Sequence, residues 1–110
     1  MSAVAYALSD PTRRALLRSA SRRPRKVREL ASLHSSLTLA AISKHLQVLE
    51  RAGLVVKRRE GRDVFCAARL QPLVQFERHL ANYTRFWKLR MDELEQHLRA
   101  RARRNSEPNR

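Results

Sequence analysis

The stretch from Val27 to Ala67 constrains the fold more than any other part of this chain. It reads VRELASLHSSLTLAAISKHLQVLERAGLVVKRREGRDVFCA. Val27, Leu30, Ala31 and Leu33 are the inward candidates of a first short helix. His34-Ser35-Ser36 interrupts it, and Thr38 is a residue type that caps helix N-termini. Between Leu39 and Ala52 the apolar residues Ile42, Leu46 and Leu49 recur at i, i+4 and i+7, which predicts a second, longer helix. Gly53 falls where a left-handed residue closes a helix. Leu54 to Arg59 then reads as a strand, Glu60-Gly61-Arg62 as a turn and Asp63 to Ala67 as the returning strand. Helix, turn, helix and hairpin in that order predict a winged helix-turn-helix, mainly α with one small β-hairpin.

The flanking segments are helical in pattern. Met1 to Leu8 is mildly apolar and suits a short helix. Asp10 and Pro11 suit the N-cap and first position of the next, with Ala15, Leu16 and Ala20 inward and an end near Ser21. Pro24 and the cations around it, Arg22, Arg23, Arg25 and Lys26, read as a loop. One long helix is expected from about Gln71 to Arg101. Leu73, Phe76, Leu80, Tyr83, Trp87 and Leu94 form its apolar stripe, with Met91 and Leu98 continuing it. That stripe is too long to be buried against so small a domain, so a second copy is the expected partner, giving a homodimer through the terminal helices. Residues 1–104 are read as one DNA-binding and dimerisation domain and 105–110 as a disordered tail.

Charge narrows the partners. The 110 residues carry 24 Lys and Arg against 10 Asp and Glu, a formal net charge of +14. Such a balance points to a polyanion, and arginine suits both phosphate and guanine. A single cysteine, Cys66, excludes a disulfide framework within the chain and fits a reducing, cytoplasmic setting. No apolar run approaches the roughly 18 residues that span a membrane, and the N-terminus is too soon polar for a secretory signal. No catalytic constellation stands out: Asp10, Asp63 and Asp92 fall in separate segments, and no glycine-rich phosphate loop occurs.

With Ile42, Leu46 and Leu49 inward, the second helix of the unit exposes Thr38, Leu39, Ala40, Ser43, Lys44 and Gln47, with His45 near the edge. Ser43 and Thr38 can donate to bases or phosphates, Lys44 can reach guanine and Gln47 can pair with adenine. Leu39 can meet a thymine methyl, and Ala40 lets the groove approach closely. The ordinary alternative is a solvated helix of a bundle. The stop glycine and basic hairpin argue against it. Arg58, Arg59 and Arg62 flank the hairpin tip, where they suit either a neighbouring phosphate or minor groove, or simple protection of a sheet edge. Arg13, Arg14, Arg22, Arg23, Arg25, Lys26 and Arg28 are further candidates for backbone contacts, each about as well explained as a solvated charge.

Three runs carry a family resemblance: Asp10-Pro11-Thr12-Arg13-Arg14, Val27-Arg28-Glu29-Leu30-Ala31, and Ile42 to Val55 (ISKHLQVLERAGLV). Over roughly residues 5–98 the chain resembles the ArsR/SmtB family of repressors. That resemblance implies a homodimeric winged-helix repressor whose reading helix enters the major groove, with Thr38, Ser43, Lys44 and His45 at DNA-contacting positions. Leu39 and Ala40 depart from the polar residue and proline common in the family.

The family's sensing residues are absent from their usual places. Arg28-Glu29-Leu30-Ala31 stands where metal-sensing members often carry a cysteine pair. Glu77 and His79 are followed only by His97, roughly 27 Å further along a straight helix. No metal and no cofactor are therefore expected. The expected function is a sequence-specific regulator, a repressor occupying a pseudo-palindromic operator on double-stranded DNA. The rival readings are a metal- or thiol-responsive repressor of the same fold, with a cross-dimer His79/His97 pair or a reactive Cys66, and a protein that coats DNA without sequence preference.

Overall fold

A computed structural model of the chain describes residues 2–106. The elements, in chain order, are α1 (Ser2–Leu8), α2 (Pro11–Arg22), β1 (Arg25–Lys26), α3 (Val27–Leu33), α4 (Leu39–Arg51), β2 (Val55–Glu60), β3 (Asp63–Ala68) and α5 (Gln71–Ser106). The described residues divide into two compact units, one ending at Phe76 and the other beginning at Glu77. This is the expected winged helix-turn-helix, with differences at particular elements.

Local chemistry sets most boundaries. The Asp10 carboxylate accepts from the Arg13 backbone N–H at 3.0 Å and starts α2 behind Pro11, satisfying a donor that has no partner inside the helix. Thr38 Oγ1 accepts from Ala41 N at 3.1 Å and starts α4. Gly53 closes α4 at φ +77. Its N–H donates to Glu50 O at 2.9 Å, and that of Leu54 reaches back to Leu49 O at 3.0 Å. This double bond pattern needs a left-handed residue at Gly53. Helix α4 ends at Arg51, and Ala52 is its cap rather than its last residue.

Leu16, Leu30, Ile42, Leu46, Leu49, Leu54, Val55 and Cys66 are fully buried and form the centre of the first unit. Val4, Ala7 and Leu17 join them. Ala7 was not singled out in the sequence, because α1 is too short to display a clear period, and Leu17 extends the inward side of α2 beyond Ala15, Leu16 and Ala20. Leu33, expected inward, is exposed. Leu73 and Phe76, at the start of α5, pack against this core as partly buried residues. They are therefore half-covered by their own chain, unlike Leu80, Tyr83, Trp87 and Leu94 further along α5, which are exposed.

The sheet has three strands in the order β1-β3-β2, all antiparallel. The third strand is unexpected. Arg25 pairs with Cys66 and Lys26 with Phe65, within the segment read as a loop. An edge strand needs only backbone pairing on one side, and two residues show no alternation to read. Glu60 pairs directly with Asp63, so the turn is Gly61-Arg62 alone, with Gly61 at φ +63. Helix α5 continues through Asn105 and Ser106, taking in the first two residues of the segment read as a tail; 107–110 lie outside the described residues.

Candidate nucleic-acid interface

The reading helix α4 is placed by its apolar side. Ile42, Leu46 and Leu49 are fully buried, which turns Thr38, Leu39, Ala40, Ser43, Lys44 and Gln47 outward, all of them exposed. Spacing along one helix keeps Ala40, Ser43, Lys44 and Gln47 on a common side. Leu39 is 53% exposed, an apolar side chain left in water where the sequence suggested a thymine methyl contact.

Wing and helix meet at one cleft. Leu39 and Ser43 of α4, Arg62, Asp63 and Val64 of the wing, and Lys26, Val27 and Arg28 at the start of α3 surround a recess of about 180 Å³. The structure thus joins Ser43 and Leu39 to Arg62, which lie far apart in sequence. The two other wing arginines divide. Arg58 stands opposite Phe65 and Arg59 opposite Val64, so their side chains leave on opposite faces of the hairpin. Arg59 shares the face of Val64, which lines the cleft. Arg58 lies on the other face, with Val56, Phe65 and Ala67, and is 3.6 Å from the Glu60 carboxylate.

His45 is less open than the row beside it. It is partly buried, with its Nδ1 3.4 Å from an Arg13 guanidinium nitrogen and 4.0 Å from the Asp10 carboxylate. It faces the beginning of α2 rather than the outward row of α4. Arg13 itself, considered in the sequence as a backbone-contact residue, is only 7% exposed. Its Nε donates to Ala7 O at 2.8 Å and a terminal nitrogen to Tyr6 O at 2.9 Å, and its guanidinium lies over the Tyr6 ring. This arginine is structural. A lone Arg in an Arg-Arg pair carries no sequence signal that separates it from its exposed neighbour Arg14.

Asp63 is the residue that sequence reasoning missed. Beside the turn at the tip of the wing it accepts from Arg28 and lies 3.4 Å from Lys26 Nζ, tying β3 to the start of α3. The Arg28 hydrogen bond holds its carboxyl below the ordinary 3.8, with Lys26 assisting and partial desolvation opposing. Glu29 does the same for Arg25 and Arg23 and is likewise held low, chiefly by Arg25. Lys26, Arg28, Arg23 and Arg25 therefore have carboxylate partners, whereas Arg59, Arg62 and Lys44 have none among the described residues. Nothing in the sequence pairs Arg28 with Asp63, 35 positions away.

A cationic cleft beside an outward polar helix face defines a winged-helix DNA-binding protein. Comparisons agree. Residues 8–58 match a family described as a helix-turn-helix domain. The chain is 41% identical over 66 residues to the uncharacterised HTH-type transcriptional regulator YuzN of Bacillus subtilis (strain 168), covering 54% of this chain and 72% of that one. It is 36% identical to the ArsR family transcriptional regulator RHA00566, whose crystal structure superposes with a TM-score of 0.72 over 79% of this chain and 89% of the other. The homodimeric winged helix-turn-helix DNA-binding domain of Mb0332 from Mycobacterium bovis, a possible ArsR-family regulator, matches at 25% identity and a TM-score of 0.57 over 87% and 82%. The chain belongs to the ArsR family of DNA-binding transcriptional regulators. Fold and family are those of regulators, not enzymes. No described helix is long and apolar enough to cross a membrane.

Proposed function

We propose that this chain is a repressor that occupies a pseudo-palindromic operator as a homodimer, reading bases with Thr38, Ser43, Lys44 and Gln47 and holding phosphates with Arg59 and Arg62. The observation that carries this reading is the outward row Ala40, Ser43, Lys44 and Gln47 on the helix that also borders the wing cleft. A small residue within a polar row permits close approach to base edges, and the wing cations add affinity without sequence information.

The dimer rests on α5. Leu80, Tyr83, Trp87, Met91, Leu94 and Leu98 are each 43–66% exposed, and their spacing of three or four residues puts them on one side of the helix. An apolar row of that length in water calls for a partner helix. Mb0332, which shares the fold, is a homodimer. Two copies related by a two-fold axis would set half-sites about one helical turn apart, or a multiple of it. Release from DNA is proposed not to require a transition metal or a disulfide, since tight zinc sites use several convergent Cys and His ligands and the chain's one cysteine is buried.

Footprinting on the DNA upstream of the chain's own gene tests this. A protected inverted repeat is expected. Replacing Ser43 and Gln47 together by alanine should erode discrimination between that site and random duplex by about 1–3 kcal/mol for each lost base contact. Equal affinity of the unaltered protein for operator and random DNA would instead make it a coating protein.

A further inference from the structure

Two cations without carboxylate partners among the described residues, Arg18 and Arg22, stand together away from the reading helix. We propose that a cavity between α2 and the two ends of α3 binds a small phosphorylated organic molecule. The cavity holds about 330 Å³, at the lower end of the range for small-molecule sites and larger than a bare phosphate requires. Arg18 and Arg22 rise from α2 four residues apart, on the side that also carries Ser19 and Ala15. Arg25 enters from β1, and His34 and Leu33 close the far end.

The chemistry of the lining selects an anion. No carboxylate borders the cavity. Arg25 is fixed in place by its Nε bond to Ser19 O at 3.1 Å and by Glu29 behind it at 2.7 Å. Arg18 and Arg22 have no ion-pair partner among the described residues, so their forks remain available for bidentate contact with phosphate oxygens. The Ser19 hydroxyl and the His34 ring, 3.4 Å apart, add hydrogen-bonding groups. Ala15 and the exposed Leu33 provide an apolar wall for a short carbon chain. Together these fit a phosphate monoester better than a bare ion.

Position gives the site a consequence. Arg25 lies two residues before α3 and His34 directly follows it, so an anion held against α2 would tie down both ends of the helix that supports α4. An effect of the ligand on DNA affinity rests on the functional reading above; the binding itself does not. The same phosphate chemistry could come from the DNA backbone, and the experiment separates the two sources.

Calorimetric titration of the full chain without DNA, at near-physiological salt, uses glycerol 3-phosphate, inorganic phosphate and glycerol as probes. Saturable binding of glycerol 3-phosphate at one per chain is expected, with none for glycerol. Arg18→Ala combined with Arg22→Ala should weaken it about tenfold or more. Arg101→Ala combined with Arg104→Ala, which removes the same charge elsewhere, should leave it unchanged. Duplex affinity of the Arg18/Arg22 variant is measured in parallel, with a melting curve to confirm folding. Loss of ester binding with duplex affinity retained supports the site. Absence of ester binding in the unaltered protein, or equal loss in both double variants, overturns it. In the first case a fall in duplex affinity would assign the two arginines to the DNA backbone. An absent operator footprint with intact ester binding would sink the repressor reading and leave the site standing.

Discussion

Arg13 joins α1 to the reading helix: its guanidinium donates to the carbonyls of Ala7 and Tyr6 and lies 3.4 Å from His45 Nδ1. One buried side chain thus closes the end of a seven-residue helix and touches α4. Because helices this short do not persist alone in water, α1 depends on such tertiary bonds. Arg13→Ala should cost about 2–3 kcal/mol, the scale for losing charge-assisted bonds to buried carbonyls. Arg13→Lys should recover little of it, since an ammonium cannot reproduce the planar fork. Urea denaturation measures both; a loss under about 0.5 kcal/mol for Arg13→Ala would show that water replaces the guanidinium.

Asp63 restrains two cations beside the DNA cleft. Asp63→Asn should free Lys26 and Arg28 for phosphates, steepening the dependence of log binding constant on log salt by about 1–2. Filter binding to random duplex at several salt concentrations checks this. The carboxyl is held below its ordinary 3.8, first by Arg28. A depressed folded-state value stabilises the fold above the unfolded value and is lost as pH falls through the folded one. The tether should therefore persist at pH 5 and fail only below about 3.8, with Asp63→Asn removing part of the stability change over that acid range.

Cys66 should be inert in the native protein. It is fully buried, and burial pushes its thiol up to about 11, with Lys57 opposing and Glu50 adding to the rise. Thiolate is the reactive form. Labelling with a chromogenic disulfide at pH 8 should be slow in the folded chain and fast in denaturant. Rapid native labelling would return a thiol switch to consideration.

The α5 row should set the oligomeric state. Leu80→Asp or Trp87→Asp would place a charge in the proposed seam, where an unpaired buried charge is strongly unfavourable. A shift to monomer in sedimentation is expected, together with loss of most operator affinity because each half-site binds weakly alone. The first unit should keep its cooperative unfolding, because neither residue belongs to its core. An unaltered protein that is monomeric while bound to DNA would refute the dimer.

Much of this molecule was legible in one dimension. Asp10, Pro11, Thr38 and Gly53 mark helix ends by local chemistry, since caps depend on neighbours three or four positions away. Ile42, Leu46 and Leu49 fixed the inward side of α4, and with it the outward row, because helical period alone decides which side chains share a face. Other relationships required the chain to be folded. The pairing of Arg25-Lys26 with Cys66-Phe65, the retention of Arg28 by Asp63, the burial of Arg13 and the capture of Leu73 and Phe76 by the first core all join distant segments. Neither charge nor periodicity encodes such partners. An arginine's sequence neighbours do not say whether it meets water, a carboxylate or two carbonyls. That is decided by which elements pack together, because the energy of a charge depends on its surroundings in space.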